Sequence, residues 1–264
     1  MKSSLLRCTL CLLLAWLPLS GSAWNTHTHR AIAIYATENL KPKVKRQVEA
    51  ILGGTMAEHA AWLNTQKKVV RGSAWWHNIV LDEQNNPVEG KTDALEKIAE
   101  AESVLRNRRN HSADELSHAL KCLIHIVSDM HNPSHVIFTD IPRSRGFKFN
   151  TTNNRKGAFA HRGVKSWRHL WNITYPRRHR GFSVEWSAYD LAVYAERDKV
   201  EWSKGTPKEW AIGQGTECRP LYDIITGEKV VTPDIINRLE NIHDRGAARA
   251  ALRLAALLND IFSK

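Results

Sequence analysis

The amino-acid sequence predicts an all-α protein built as a single helical domain, and three observations carry that reading. Apolar residues recur at helical intervals through several long stretches: His29 to Leu40, Val44 to Leu52, 92 to 106 and 112 to 130. Two of these stretches run into helix-stop signals, Gly53-Gly54 and Asn132-Pro133. The chain closes with a strongly apolar helical run, Ala247 to Phe262. No internal repeat or sustained heptad divides the chain, and its length suffices to bury one substantial core.

Taken in order, the first segment lies outside the expected fold. Lys2 and Arg7 are followed by an apolar stretch through Leu19 and then by Gly21-Ser22-Ala23, the charged, apolar and small-residue order of a secretory signal. The expected domain is therefore 24–264, starting at Trp24, in a secreted or periplasmic protein. The apolar stretch is too short to cross a bilayer with margin, and no later segment supplies the roughly 20 continuous apolar residues of a spanning helix, so no stable membrane anchor is expected. In the first helix Ala31, Ile32, Ile34, Tyr35 and Leu40 form the apolar face, and a second helix ends at Leu52. Residues 55–90 set Trp62, Trp75 and Trp76 among polar residues and close on Asn85-Asn86-Pro87, which reads as short helix and loop. Helices over 92–106 and 112–130 follow. Residues 141–181, rich in Arg, Lys, Asn and Gly without a clear period, read as a long basic loop. Thr232-Pro233-Asp234 opens a helix with a capping residue and a proline in the first turn, and the run from Ala247 forms the last helix.

The full chain has 38 basic and 27 acidic residues, and loss of Lys2 and Arg7 with the signal leaves a net charge of +9. Such a balance favours a polyanionic partner, without choosing between nucleic acid and anionic lipid. After the loss of Cys8 and Cys11 only Cys122 and Cys218 remain, either as one disulfide or as two buried thiols. No paired-cysteine zinc motif is present.

Thirteen histidines are about twice ordinary usage, and they are spread rather than clustered in a tag-like run, with a dense patch at His118, His125, His131 and His135. His125 and Asp129, four apart on a predicted helix, project from one face and can chelate a single ion. A core histidine hydrogen-bonded to an aspartate would give the same spacing. The string 125–135, His-Ile-Val-Ser-Asp-Met-His-Asn-Pro-Ser-His, adds to the pair, because Pro133 breaks the helix and lets His135 turn back toward it. A carboxylate placed between imidazoles can bridge two ions.

These residues resemble the zinc-dependent S1/P1-type nucleases, which share their fold with the zinc-dependent phospholipases C. The resemblance extends to Trp24 through His29 at the expected mature terminus, to Trp76-His77, and to Arg253-Leu254-Ala255-Ala256-Leu257-Leu258-Asn259 near the end, and so spans nearly the whole mature chain. It implies the family's helical fold and a ligand order: Trp24, through its free amine and carbonyl oxygen, and His29 with Asp129 for one zinc, and His77, His125 and Asp129 for its neighbour. A third zinc would rest on His135.

The sequence departs from the family pattern at several positions. Trp62-Leu63-Asn64 puts Asn64 where the family has a metal-binding aspartate. In Ser166-Trp167-Arg168-His169-Leu170-Trp171-Asn172, Arg168 stands at the third zinc's histidine position, His169 is one residue late, and Asn172 replaces an aspartate. An amide oxygen ligates without charge, so Asn64 and Asn172 raise the net charge of a three-zinc site from about +3 to about +5 and make full occupancy harder. The resemblance puts Lys67 at the place of an arginine that contacts the reacting phosphate, and Arg168 offers a second phosphate-binding side chain.

The reaction so implied is zinc-dependent hydrolysis of phosphodiester bonds in single-stranded DNA or RNA, and of nucleotide 3'-phosphates, by a monomer with two to three zinc ions. Arg143, Arg145, Lys148, Arg155 and Lys156, interleaved with Phe147, Phe149 and Phe159, suit tracking phosphates and stacking unpaired bases. Two alternatives stay open. One is a relative that binds metal or nucleic acid with weakened or lost catalysis, motivated by the amides; the other is a phospholipase C-like hydrolase.

Overall fold

The computed structural model describes residues 24–66, 69–70, 72–141, 171, 181–227 and 233–263, with backbone alone for 223–227 and 233–236. The expected signal (1–23), Lys67, Arg168, His169, Asn172 and nearly all of the expected basic loop lie outside these residues. Trp171, within that loop, is helical and fully buried.

The described chain is all-α apart from one pair of three-residue strands. Its elements are α1 (Thr26–Glu38), α2 (Pro42–Leu52), α3 (Met56–His59), α4 (Trp62–Gln66), β1 (Ile79–Leu81), α5 (Asp93–Arg106), α6 (Ala113–Asp129), β2 (Val136–Phe138), α7 (Val184–Ala195), α8 (Lys199–Trp202), α9 (Pro207–Gly227) and α10 (Pro233–Ser263). Among the described residues no helix is long and apolar enough to cross a membrane.

α6 is the axis of the site. Ser112 and Glu115 form a reciprocal capping box at its start, satisfying two backbone donors that a helix otherwise leaves unpaired. Its second half, from Ala119 to Asp129, is buried almost without interruption, and α5 packs along it with Ile98, Ala101 and Leu105 facing inward. α1 is started by Asn25, whose side chain accepts from the Thr28 amide, and is packed between α7 and α10. Its inward stripe, Ala31, Ile32 and Tyr35, includes His29. Leu52 is followed by Gly53 in the left-handed region (φ 66°), which closes α2 as the sequence predicts.

Three features differ from the sequence reading. Residues 233–263 form one continuous helix, not a start and a separate last helix, and at 31 residues it is about 46 Å long. α7, α8 and α9 occupy a region in which the sequence reading found no element. α9 carries Gly213, Gly215, Thr216 and Pro220, all poor helix residues; Gly215 is required because a Cβ there would meet the Leu81 and Asn85 side chains. Finally, β1 and β2 pair in parallel, Ile79 with Val136 through Leu81 with Phe138. Each strand is too short for a period to show in the sequence. Cys122 and Cys218 are separate, buried free thiols.

Candidate metal centre

Four buried imidazoles surround the Asp129 carboxylate. His77 Nδ1 lies 2.5 Å and His125 Nε2 3.1 Å from Oδ2; His29 Nε2 is 3.3 Å from Oδ1, and His135 Nε2 is 3.5 Å from Oδ2. All five residues are at most 3% exposed. The donor atoms form two groups sharing the carboxylate, His29 with His125 and Asp129, and His77 with Asp129 and His135.

Each ligand-type residue has a local reason for its place. His125 and Asp129 come from adjacent turns of the buried face of α6. Asn132 then accepts from the Ser134 amide, and Pro133–His135 makes a single 3-10 turn that folds His135 back over Asp129. The parallel β1–β2 pair does the rest: it aligns the residues just before each strand, so that the rings of His77 and His135 stack with centroids 5.5 Å apart. His29, one turn into α1, stacks on His125 at 4.1 Å.

Several imidazoles are held in a fixed tautomer. His125 Nδ1 donates to the Ala60 carbonyl (2.7 Å) and His135 Nδ1 to Asn78 Oδ1 (3.0 Å), which leaves the Nε2 lone pairs of both directed at the cluster. Burial, followed by the neighbouring His125, lowers the His29 pKa to about 4, so His29 is neutral near pH 7. For Asp129, burial acts to raise the pKa, but His135, His125 and His29 together outweigh it and hold the carboxyl well below its usual range. An ionised carboxylate therefore sits among four imidazoles at the C-terminal end of α6, where the helix dipole disfavours negative charge by roughly 0.3–1 kcal/mol.

Buried charge in such a place needs a positive partner. Both ring nitrogens of His29, Nε2 of His125 and Oδ1 of Asp129 are buried without a hydrogen bond. Imidazole nitrogens and a carboxylate are the donor set of zinc-class divalent ions. The residues present thus fit a metal centre.

A family model described as S1/P1 Nuclease matches residues 24–263. The chain belongs to the S1/P1 nuclease family. This nuclease is accordingly a metal-dependent hydrolase of phosphodiester bonds, with nucleic acid as its substrate class. A search of the curated proteins finds no match.

The grouping of donors in this nuclease differs from the ligand order that the resemblance implies. His125 groups with His29 instead of His77, and His135, expected at a third site, stands against Asp129. Trp24 is fully buried with its ring edge-on to His29 at 6.3 Å, and Asn64 is partly buried on α4, a helix that packs on α6. His131 is no ligand: Nδ1 bonds the Val127 carbonyl and Nε2 meets the Arg253 guanidinium at 2.8 Å.

The sequence reading also passed over the supports of the site. Asn78 and the Ala60 carbonyl orient two of the rings. His243, on α10, lies against Trp24 at 5.4 Å and stacks with Trp171, and its neighbour Asp244 is equally buried. His243-Asp244, just ahead of the apolar run from Ala247, was the available signal.

Proposed function

We propose that this nuclease is an exported zinc enzyme that cleaves single-stranded DNA and RNA and also releases the phosphate of nucleotide 3'-phosphates. The observation that carries the reading is the ionised, buried Asp129 shared by two groups of imidazoles. Trp24, His29, His77, His125 and Asp129 would hold a pair of zinc ions, with Asn64 adding an uncharged oxygen. His135, from the donor group it shares with His77 and Asp129, would reach a third together with His169 and Asn172. Bound zinc supplies a water with a pKa near 7 and positive charge facing the phosphoryl oxygens.

The protein's own part is positioning. Asp129 ties the two donor groups into one centre. The Ala60 carbonyl and Asn78 keep His125 and His135 from rotating, so Nε2 of each remains aimed inward. Lys67 and Arg168 would bind the phosphoryl oxygens of the substrate, Arg168 in bidentate fashion and Lys67 as a point charge. The signal-like order of residues 1–23 supports export.

Elemental analysis after dialysis against metal-free buffer, paired with hydrolysis of single-stranded DNA, tests the reading. Two to three zinc ions per chain and activity abolished by a chelator are expected. A metal-free protein, or hydrolysis indifferent to chelation, overturns it. A second reading, a relative with weakened catalysis, is favoured by the amide at Asn64. Asn64→Asp together with Asn172→Asp would then raise zinc content and turnover, whereas in a fully competent nuclease the pair of changes gains nothing.

A further inference from the structure

A groove of about 490 Å³ lies between α5 and the N-terminal half of α6, outside the metal centre. Its volume falls in the range of small-molecule sites, about 300–1,000 Å³. Ala101, Val104 and Ala119 make an apolar floor, Trp76 stands at one end, and His118 is exposed along the α6 side.

Two connections tie the groove to the catalytic centre. Trp76 is the residue before His77. His118 lies seven residues before His125 on the same face of α6, so the two are about 10 Å apart along the helix. Charged side chains frame the groove at both ends. Lys97 Nζ stands 4.8 Å from the centroid of the Trp76 ring and is paired with Glu100, which also lines the groove, at 2.6 Å. The opposite end, at the start of α6, carries Asp114 and Glu115. Glu115 is committed to the Ser112 capping box. Asp114 is exposed and enters no hydrogen bond or ion pair among the described residues.

We propose that this groove is a base-binding subsite of the nuclease that selects guanine. The base lies on the apolar floor between the Trp76 end and His118, with Asp114 accepting the adjacent N1–H and N2–H donors of its Watson–Crick edge. Only guanine presents two neighbouring donors to a carboxylate; adenine offers one donor beside an acceptor. The inference rests on the nuclease reading for the origin of the base, and the groove itself needs no metal.

The test is direct binding of guanosine and of adenosine, nucleosides without phosphate, to the purified protein by calorimetry, in wild type and in Asp114→Asn. Guanosine should bind at least tenfold more tightly than adenosine. Asp114→Asn should remove that preference and leave the protein folded, with at most the small loss of stability expected for an acid taken from the first turn of a helix. Equal affinity for the two nucleosides, no binding of either, or a guanosine preference untouched by Asp114→Asn overturns the proposal. Hydrolysis of single-stranded DNA, measured alongside, separates the two readings. Hydrolysis without guanosine preference sinks the subsite and leaves the nuclease; guanosine binding without hydrolysis does the reverse.

Discussion

Replacing Gly246 by alanine tests whether the last helix holds the metal centre in place. Gly246 lies on α10 where that helix crosses the turn after α6, and a Cβ built there falls 2.6 Å from the His131 backbone carbonyl oxygen and 4.0 Å from the Trp24 ring. Carbon and carbonyl oxygen normally stay more than 3.0 Å apart, so one of the two backbones must move by at least several tenths of an ångström. The oxygen has little freedom to yield: it accepts from the Gln214 side chain at 2.9 Å, and the His131 ring is tied to Val127 and Arg253. Overpacking of this kind costs about 1–3 kcal/mol. For a domain of this size that corresponds to a melting-temperature drop of roughly 2–12 °C. The segment displaced is the one between Asp129 and His135, so zinc affinity should fall as well. Thermal unfolding by circular dichroism and a zinc titration, with Gly213→Ala as control because nothing lies within 4 Å of its Cβ, measure both effects. A Gly246→Ala protein as stable and as zinc-avid as that control would refute the packing argument.

Asp129→Asn keeps the shape of the centre but removes its one carboxylate, and should lose nearly all bound zinc and at least a thousandfold of turnover; retained zinc on elemental analysis would contradict this. Asn78→Ala frees the His135 ring, and loss of an orienting partner of this kind typically weakens metal binding 10–100-fold; competition with a chromogenic chelator reads the change. The metal-free protein should lose stability on acidification. His29 has a folded pKa of about 4 against an ordinary 6.5, so its contribution is complete above pH 6.5 and is lost as pH falls toward 4, on the order of 3 kcal/mol in all. The lowered Asp129 pKa acts in the same direction at still lower pH, its contribution being lost as pH falls through the folded value. Denaturant midpoints at pH 7 and pH 4.5 check the sign, and equal midpoints would contradict it.

The parts of the molecule legible in the sequence are those written locally. The stripes of α1, α2, α5 and α6 repeat at helical spacing over enough residues to be read, and Gly53 and Pro133 mark real stops. The cluster around Asp129 was legible because three of its residues fall within eleven positions, 125 to 135. The illegible parts depend on distant partners. β1 and β2 are three residues each and become strands only by pairing with one another across more than fifty residues. α9 is helical despite two internal glycines and an internal proline, and Gly215 serves its close packing against the distant Leu81 and Asn85. Asn78, which fixes His135, is an ordinary polar residue until the strand pairing places it.

The charge at the centre links its departures from the family pattern to its substrate. Among the described residues the cluster opposes four imidazoles with a single carboxylate, and if two divalent ions occupy it as proposed, the net charge is about +3 before solvent and substrate are counted. With an aspartate in place of Asn64 the same pair would stand near +2. A more positive centre holds its ions less tightly, since each repels the other with less compensation, but it attracts a phosphodiester more strongly. If Asn64 ligates as proposed, the amide trades metal affinity for affinity toward an anionic ligand, and that exchange has a sign that can be read. Asn64→Asp should tighten zinc binding while weakening competitive inhibition by inorganic phosphate. If both rose together, Asn64 would be acting through packing and not through charge.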